Sequence, residues 1–246
     1  MLQPMRPLTL TILQDEHQAL AAMLRSLGML LQMARREGHP PDFSVLRAML
    51  FYVDEFPERQ HHRRETEYLF PLVRERCPEL QPVLQRLNQD HHKSEHAIRD
   101  LQHALLAFEV LGEPRRDAFE TAVQYYTRQY LEHMALEERE VLPAAQRSLN
   151  ADDWARLDAL FEAGRDPLAQ PSPGEQAPND YKPLFSKILM QAPAPIGLGP
   201  TTRLGTRFPG PSSALAPSPF QGEGEAPIRP PAPCARGAGA RTDFVR

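Results

Sequence analysis

Apolar residues recur at three- and four-residue steps through the first two-thirds of the chain, a period that predicts helices. Leu20, Met23, Leu24, Leu27, Leu30 and Leu31 share one such face, and Gly38 followed by Pro40-Pro41 stops it. A second pattern runs from Asp42, a residue suited to capping a helix start, to Arg76. Pro57 and Pro71 fall inside it and predict a kink or an early end. Cys77-Pro78 breaks the chain, and a third pattern follows from Glu79 to Leu111, with Pro82 tolerated in its first turn and Gly112 closing it. A fourth spans 114–149, weakened near its end by Pro143, and a short fifth covers 151–163 behind an Asp-rich start, with Gly164 after it. Four long amphipathic helices on short connections predict an all-α fold, an antiparallel up-down-up-down four-helix bundle with a short fifth helix.

Past residue 164 the pattern fades. Of the 26 prolines, 15 lie in 171–246, and 201–246 has almost no apolar periodicity with which to offset its ordering entropy. The expected organisation is a bundle over 8–164, a proline-containing extension over 165–200 and a disordered Pro/Gly-rich tail over 201–246. A short helix at 183–191 is expected to dock either on the bundle or on a partner. The formal net charge of −4 excludes the basic footprint of a nucleic-acid binder. The longest apolar stretches are too short to span a membrane. The N-terminal residues run into charge without a uniform apolar segment, so a cytoplasmic location is expected. Two cysteines, Cys77 and Cys234, form no disulfide framework and fit a reducing compartment.

The histidines change the picture. Seven of the nine fall into four groups, one group per long helix: His17; His61 and His62; His91, His92 and His96; His133. Glu65, Glu95 and Glu137 stand four residues after His61, His91 and His133, with Glu138 adjacent. Positions four apart share a helix face, so each pair can direct an imidazole and a carboxylate at one point. A single pair of this kind is usually a solvated contact, but three on separate helices plus His17 argue for a metal. Such a nitrogen and oxygen set suits non-haem iron, manganese or zinc. Counting residues from the helix ends at about 1.5 Å each places His17, Glu65, His91 and Glu137 at matching depths to within about 6 Å. Adjacent helical residues lie about 100° apart, so His61-His62 and His91-His92 are not expected both to face inward. His39 and His103 receive no role, and Tyr125, Tyr126, Tyr130 and Phe70 read as ordinary core.

The blocks DEH (15–17), FPERQHHRRETEYLFP (56–71), QDHHKSEH (89–96) and YLEHMALEEREVLP (130–143) resemble the hemerythrin-like, or HHE cation-binding, domain family over about 8–149. The resemblance implies metal ligation by His17, by His61 with Glu65, and by His133 with Glu137 or Glu138. On the third helix it leaves two alternatives, His91 with Glu95, or His92 with His96; His62 is a further candidate. It implies two irons per chain, oxo- or hydroxo-bridged, and O2, NO or peroxide as the small ligand, in sensing, storage or iron handling. A di-iron oxidase, peroxidase or nitrosative-stress repair factor is the alternative, and a metal-stabilised regulatory interaction module is a third. No nucleophile–base pair for hydrolysis is evident. Only Glu58 and His61 have the Glu-x-x-His spacing that ferritin-like oxidases use twice.

Overall fold

The computed structural model describes residues 6–169 and 178–194, and every regular element among them is helical. Helix α1 is Leu8–Glu37 and ends at Gly38, whose φ of 71° turns the backbone left-handed and sends its N–H back to the Ala34 and Arg35 carbonyls. That conformation penalises a Cβ, which is why glycine stands there. Helix α2 is the run 43–76, opened by the Asp42 side chain accepting from the Ser44 and Val45 N–H groups. Helix α3 is Gln81–Leu111 and helix α4 the run 116–148. Helix α5 is Ala151–Ala163, begun by a reciprocal cap between Asn150 and Asp153. Helix α6 is Lys182–Gln191. The expected disordered tail at 201–246 and Cys234 lie outside the described residues.

Pro57, Pro71 and Pro143 do not end their helices. Each is accommodated by a turn widened to π geometry: Asp54–His61 and Glu65–Leu69 in α2, and Glu137–Val141 in α4. In these turns the N–H of His62, Phe70 and Leu142 reaches five residues back, to the carbonyls of Pro57, Glu65 and Glu137. A proline clashes with the carbonyl four residues before it and offers no N–H. For Pro71 and Pro143 that carbonyl belongs to Glu67 and Arg139, each in the middle of a wide turn that absorbs the clash.

The pairings fix how the long helices lie. Arg35, near the end of α1, pairs with Asp117 and Glu120 at the start of α4, whereas His17 meets Glu138 further on and Thr9 meets Asp158 in α5. Likewise Arg47, Glu58 and Thr66 of α2 meet Glu109, Ser94 and Asn88 of α3, in reverse order. The apolar interior is divided in two. One core gathers Leu20–Leu31, Met49–Phe56, Ile98–Phe108 and Phe119–Met134 side chains; the other gathers Leu10–Leu13, Leu69–Val73, Leu84–Leu87 and Val141–Ala145. Between them in all four long helices lie His17, His61–Glu65, His91 and His133–Glu137, a polar layer across the protein.

Helix α6, expected to meet either the bundle or a partner, packs on α2. Phe185 and Ile188 are buried, and the Phe185 ring lies 5.4 Å from Phe56 and 6.1 Å from Tyr52. The chain reaches it through Asp166, whose carboxylate accepts from the Tyr52 hydroxyl and the Leu168 N–H. Burial pushes the Asp166 carboxyl up to about 7, further helped by the Glu16 charge and opposed by those two hydrogen bonds. The folded chain therefore holds a proton that the unfolded chain releases, and this raised acid stabilises the fold below its unfolded pKa. That contribution, at most about 4 kcal/mol, is lost as pH rises between roughly 4 and 7. Asp166→Asn is expected to flatten this slope: urea unfolding of the metal-free chain should show the variant gaining on the parent from pH 5 to pH 7.5. A constant difference between the two across that range would contradict the assignment.

Candidate metal centre

The polar layer contains two groups of donors. His17, His61, Glu65 and Glu137 form one, and His62, His91 and His133 form the other; within each, one donor atom per residue lies within 4.8 Å of all the rest. All seven side chains are buried. In the first group the His61 Nε2 is 3.0 Å from Glu65 Oε1, and the His17 Nε2 is 3.4 Å from Glu137 Oε2. The other Glu65 oxygen, Oε2, is 3.4 Å from His91 Nε2, so one carboxylate faces both groups. In the second group the Nε2 atoms of His91 and His133 are 3.2 Å apart.

Each ring in the first group is aimed from behind. Glu16 Oε2 lies 2.8 Å from the Nδ1 of His61, and Glu138 Oε1 lies 2.9 Å from the Nδ1 of His17. The Thr66 hydroxyl is 2.8 Å from His91 Nδ1. The two carboxylates can only accept, so they favour a proton on Nδ1 and leave Nε2 of His61 and His17 facing the centre. Glu16 is itself held by Arg64, which spans both its oxygens, and by the backbone N–H of Asp166. Burial opposes charge on Glu16, but His61 and Arg64 overcome it and lower its pKa.

The electrostatics differ between the groups. Burial alone would lower His61 and His17, yet the facing carboxylates raise His61 to about 10 and His17 to about 9. Glu65 stays ionised because the positive charge on His61 outweighs its burial, whereas burial and the Glu65 charge raise Glu137 to about 7. Burial lowers His62 and His133, and neighbouring imidazoles lower them further, so both are neutral. Protons thus offset the carboxylate charge in the first group, while two imidazoles of the second already carry the free lone pair a metal needs.

These residues fit a metal cation. Both oxygens of Glu65, both of Glu137 and the His17 Nε2 are buried without an aligned hydrogen bond. Leaving such atoms unsatisfied is costly. Donors about 2.1 Å from a common ion and at right angles to one another would stand about 3 Å apart. The observed 3.0–3.4 Å separations, with poor hydrogen-bond alignment, are those of atoms converging on a shared point.

Of the residues singled out by sequence, His17, His61, Glu65, His91, His133 and Glu137 are brought together. Glu95 is half-buried and outside both groups, and His92 and His96 are exposed. Glu138, 46% exposed, touches the outer nitrogen of His17 instead of facing the centre. His39 and His103 are exposed. The expectation that His61 and His62 could not both point inward is corrected by the existence of two groups. Residues 100° apart cannot meet at one point, but His61 serves the His17 side and His62 the His91 side.

Sequence reasoning passed over the surroundings of His62. The Tyr130 hydroxyl is 2.7 Å from His62 Nε2, and Glu58 Oε2 is 3.1 Å from its Nδ1. Glu58 also accepts from the Tyr126 hydroxyl at 2.5 Å and from Ser94 at 2.7 Å. Burial raises Glu58 to about 7 against those two bonds. Tyr126 and Tyr130 are therefore more than core filling, Phe70 stacks on His91 at 5.6 Å, and Tyr125 is exposed. A pocket of about 80 Å³ opens here, with His62, His133, Ser94, Tyr126 and Tyr130 among its walls.

Buried imidazoles and carboxylates from four helices, two groups sharing a glutamate, define an all-α cation-binding protein. The model of the family described as "Hemerythrin HHE cation binding domain" matches residues 8–145, and the chain belongs to that family. No match was found among curated proteins or solved structures. No helix among the described residues is long and apolar enough to cross a membrane.

Proposed function

We propose that the chain is an antiparallel up-down-up-down four-helix bundle holding two irons, one among His17, His61, Glu65 and Glu137 and one among His62, His91 and His133. The observation that carries this reading is Glu65, whose two oxygens face different groups, as a bridging carboxylate requires. The mixed nitrogen and oxygen donor set suits non-haem iron. When bound, such a pair supplies an open position at which O2, NO or peroxide is captured, and the chain would serve sensing, storage or iron handling, in the cytoplasm. The residues around it bury the centre, fix the tautomers of His17 and His61, and leave a pocket sized for a small ligand.

The Tyr126–Glu58 and Tyr130–His62 hydrogen bonds beside the pocket favour one second reading, a di-iron oxidase or peroxidase; steady turnover of peroxide by the iron-loaded chain would support it, and stoichiometric reaction alone would exclude it. The test of the main reading is metal analysis of anaerobically purified protein with optical spectra before and after oxygen. About two irons per chain and a new near-ultraviolet band are expected. His61→Ala combined with His133→Ala removes one donor from each group and should abolish iron binding while circular dichroism keeps most of its helical signal. Stoichiometric iron in that double variant would sink the assignment.

A further inference from the structure

Away from the buried centre, an open groove of about 720 Å³ runs along the outer side of α2. Its floor is the stripe Arg47, Phe51 and Glu55, spaced four residues apart on one helix face. Leu105 and Leu106 of α3 belong to one wall, and Pro183 and Leu184 of α6 to the other. The α3 wall continues outwards as a ridge, because Arg99, His103, Leu106 and Val110 recur at three- and four-residue steps and are all exposed. Phe51 is 44% exposed, Leu106 54% and Val110 70%. Neighbouring apolar side chains left in water together mark a contact surface.

We infer that this face is an isologous interface whose partner is a second copy of this chain. A groove with a ridge beside it is self-complementary under a two-fold axis parallel to the helices, which lays each copy's α3 ridge in the other's groove. An axis across the helices would set ridge against ridge. The parallel axis keeps every residue at its own level, so the facing groups can be read from one copy. Contacts between α2 and α3 run in reverse order: Arg47 is level with Glu109, Asp54 with Gln102, and Glu58 with Ser94. Arg99, between Ser94 and Gln102, is therefore level with Glu55, an acid that also holds Arg59 at 2.8 Å. Across the axis Arg99 of one copy meets Glu55 of the other, and Glu109 meets Arg47. Leu106 lies next to the axis and meets Phe51 and its own counterpart. Opposite charges thus flank an apolar middle at both ends of the contact. The inference is independent of the two-iron reading.

The test is sedimentation velocity of the full chain over a range of concentrations. A monomer–dimer equilibrium is expected, with the dimer dominant by about 100 µM. Leu106→Asp should weaken the dimer about thirtyfold or more while circular dichroism keeps its helical signal. Arg99→Glu should weaken it about tenfold, and adding Glu55→Arg should recover most of that loss by restoring opposite charges across the axis. Leu106→Cys should give more disulfide-linked dimer than the parent under mild oxidation, whereas Leu160→Cys, exposed on α5, should not. A parent that stays monomeric overturns the inference and leaves the groove to the chain's own C-terminal residues or to another protein. A dimer that survives Leu106→Asp overturns it in favour of another face. A charge swap without recovery overturns the two-fold arrangement.

Discussion

Glu65→Ala is expected to abolish the binding of both ions in the proposed two-iron centre. The carboxylate is fully buried, and its two oxygens stand 3.0 Å from His61 Nε2 and 3.4 Å from His91 Nε2. Removing it takes a donor from the first group and the link to the second, and it leaves His17 and His61 facing only Glu137 on the inner side. His61 and His91 then each lose the carboxylate that faces them. Iron per chain, measured after reconstitution, should fall from about two to well below one. Glu95→Gln supplies the contrast: Glu95 belongs to neither group, and its loss should leave iron content unchanged. Equal iron in Glu65→Ala and the parent would show that no ion is shared there.

Arg64→Met is expected to have the largest effect on stability. The Arg64 guanidinium spans both oxygens of Glu16, donates to the Phe161 carbonyl at 2.9 Å, and sits 4.8 Å from the centre of the Phe161 ring. Both partners of the ion pair are less than 10% exposed. Removing one leaves a buried carboxylate with only His61 and the Asp166 N–H beside it, a loss of about 3–5 kcal/mol. For a chain of this size that corresponds to roughly a 10 °C drop in melting temperature. Glu16→Gln in the same background should recover part of the loss, because the orphaned charge is gone. Purely additive effects in that cycle would mean that the two side chains do not act together.

Much of the scaffold is readable from the chain itself. The period of Leu20–Leu31, Asp42 as a cap and Gly38 and Gly112 as stops place the helix ends within a few residues of where they fall. The placing of His17, Glu65, His91 and Glu137 at one depth is readable too, because a regular helix converts residue number into distance. What escapes the pattern is whatever depends on which of several neighbours faces inward. His91 rather than His92 is decided by the third helix's packing against Phe70 and Thr66, and no residue count reports that. His62 escapes because the periodic argument assumes a single centre. A signal for the wide turns was nevertheless present: His61, Glu65 and Pro71 repeat the spacing of His133, Glu137 and Pro143. The long-range partners Glu16, Arg64 and Asp166 had no such signal, since their contacts join segments with no common period.

Those wide turns also set a rotational phase. Each carries roughly one residue more than an α turn, and an α turn advances about 100° per residue. A deletion that took out the extra residue of Asp54–His61 and closed the ladder to ordinary spacing would leave the later side chains near their present phase, because the turn would still complete one rotation. The α-helical stretch Phe43–Val53 before it has no residue to spare. One residue lost there would swing His62 and Glu65 by about 100° relative to the helices they face. The length of that stretch is therefore held like the tooth count of a gear, whereas the wide turn is the one place where a residue can be taken up or given back.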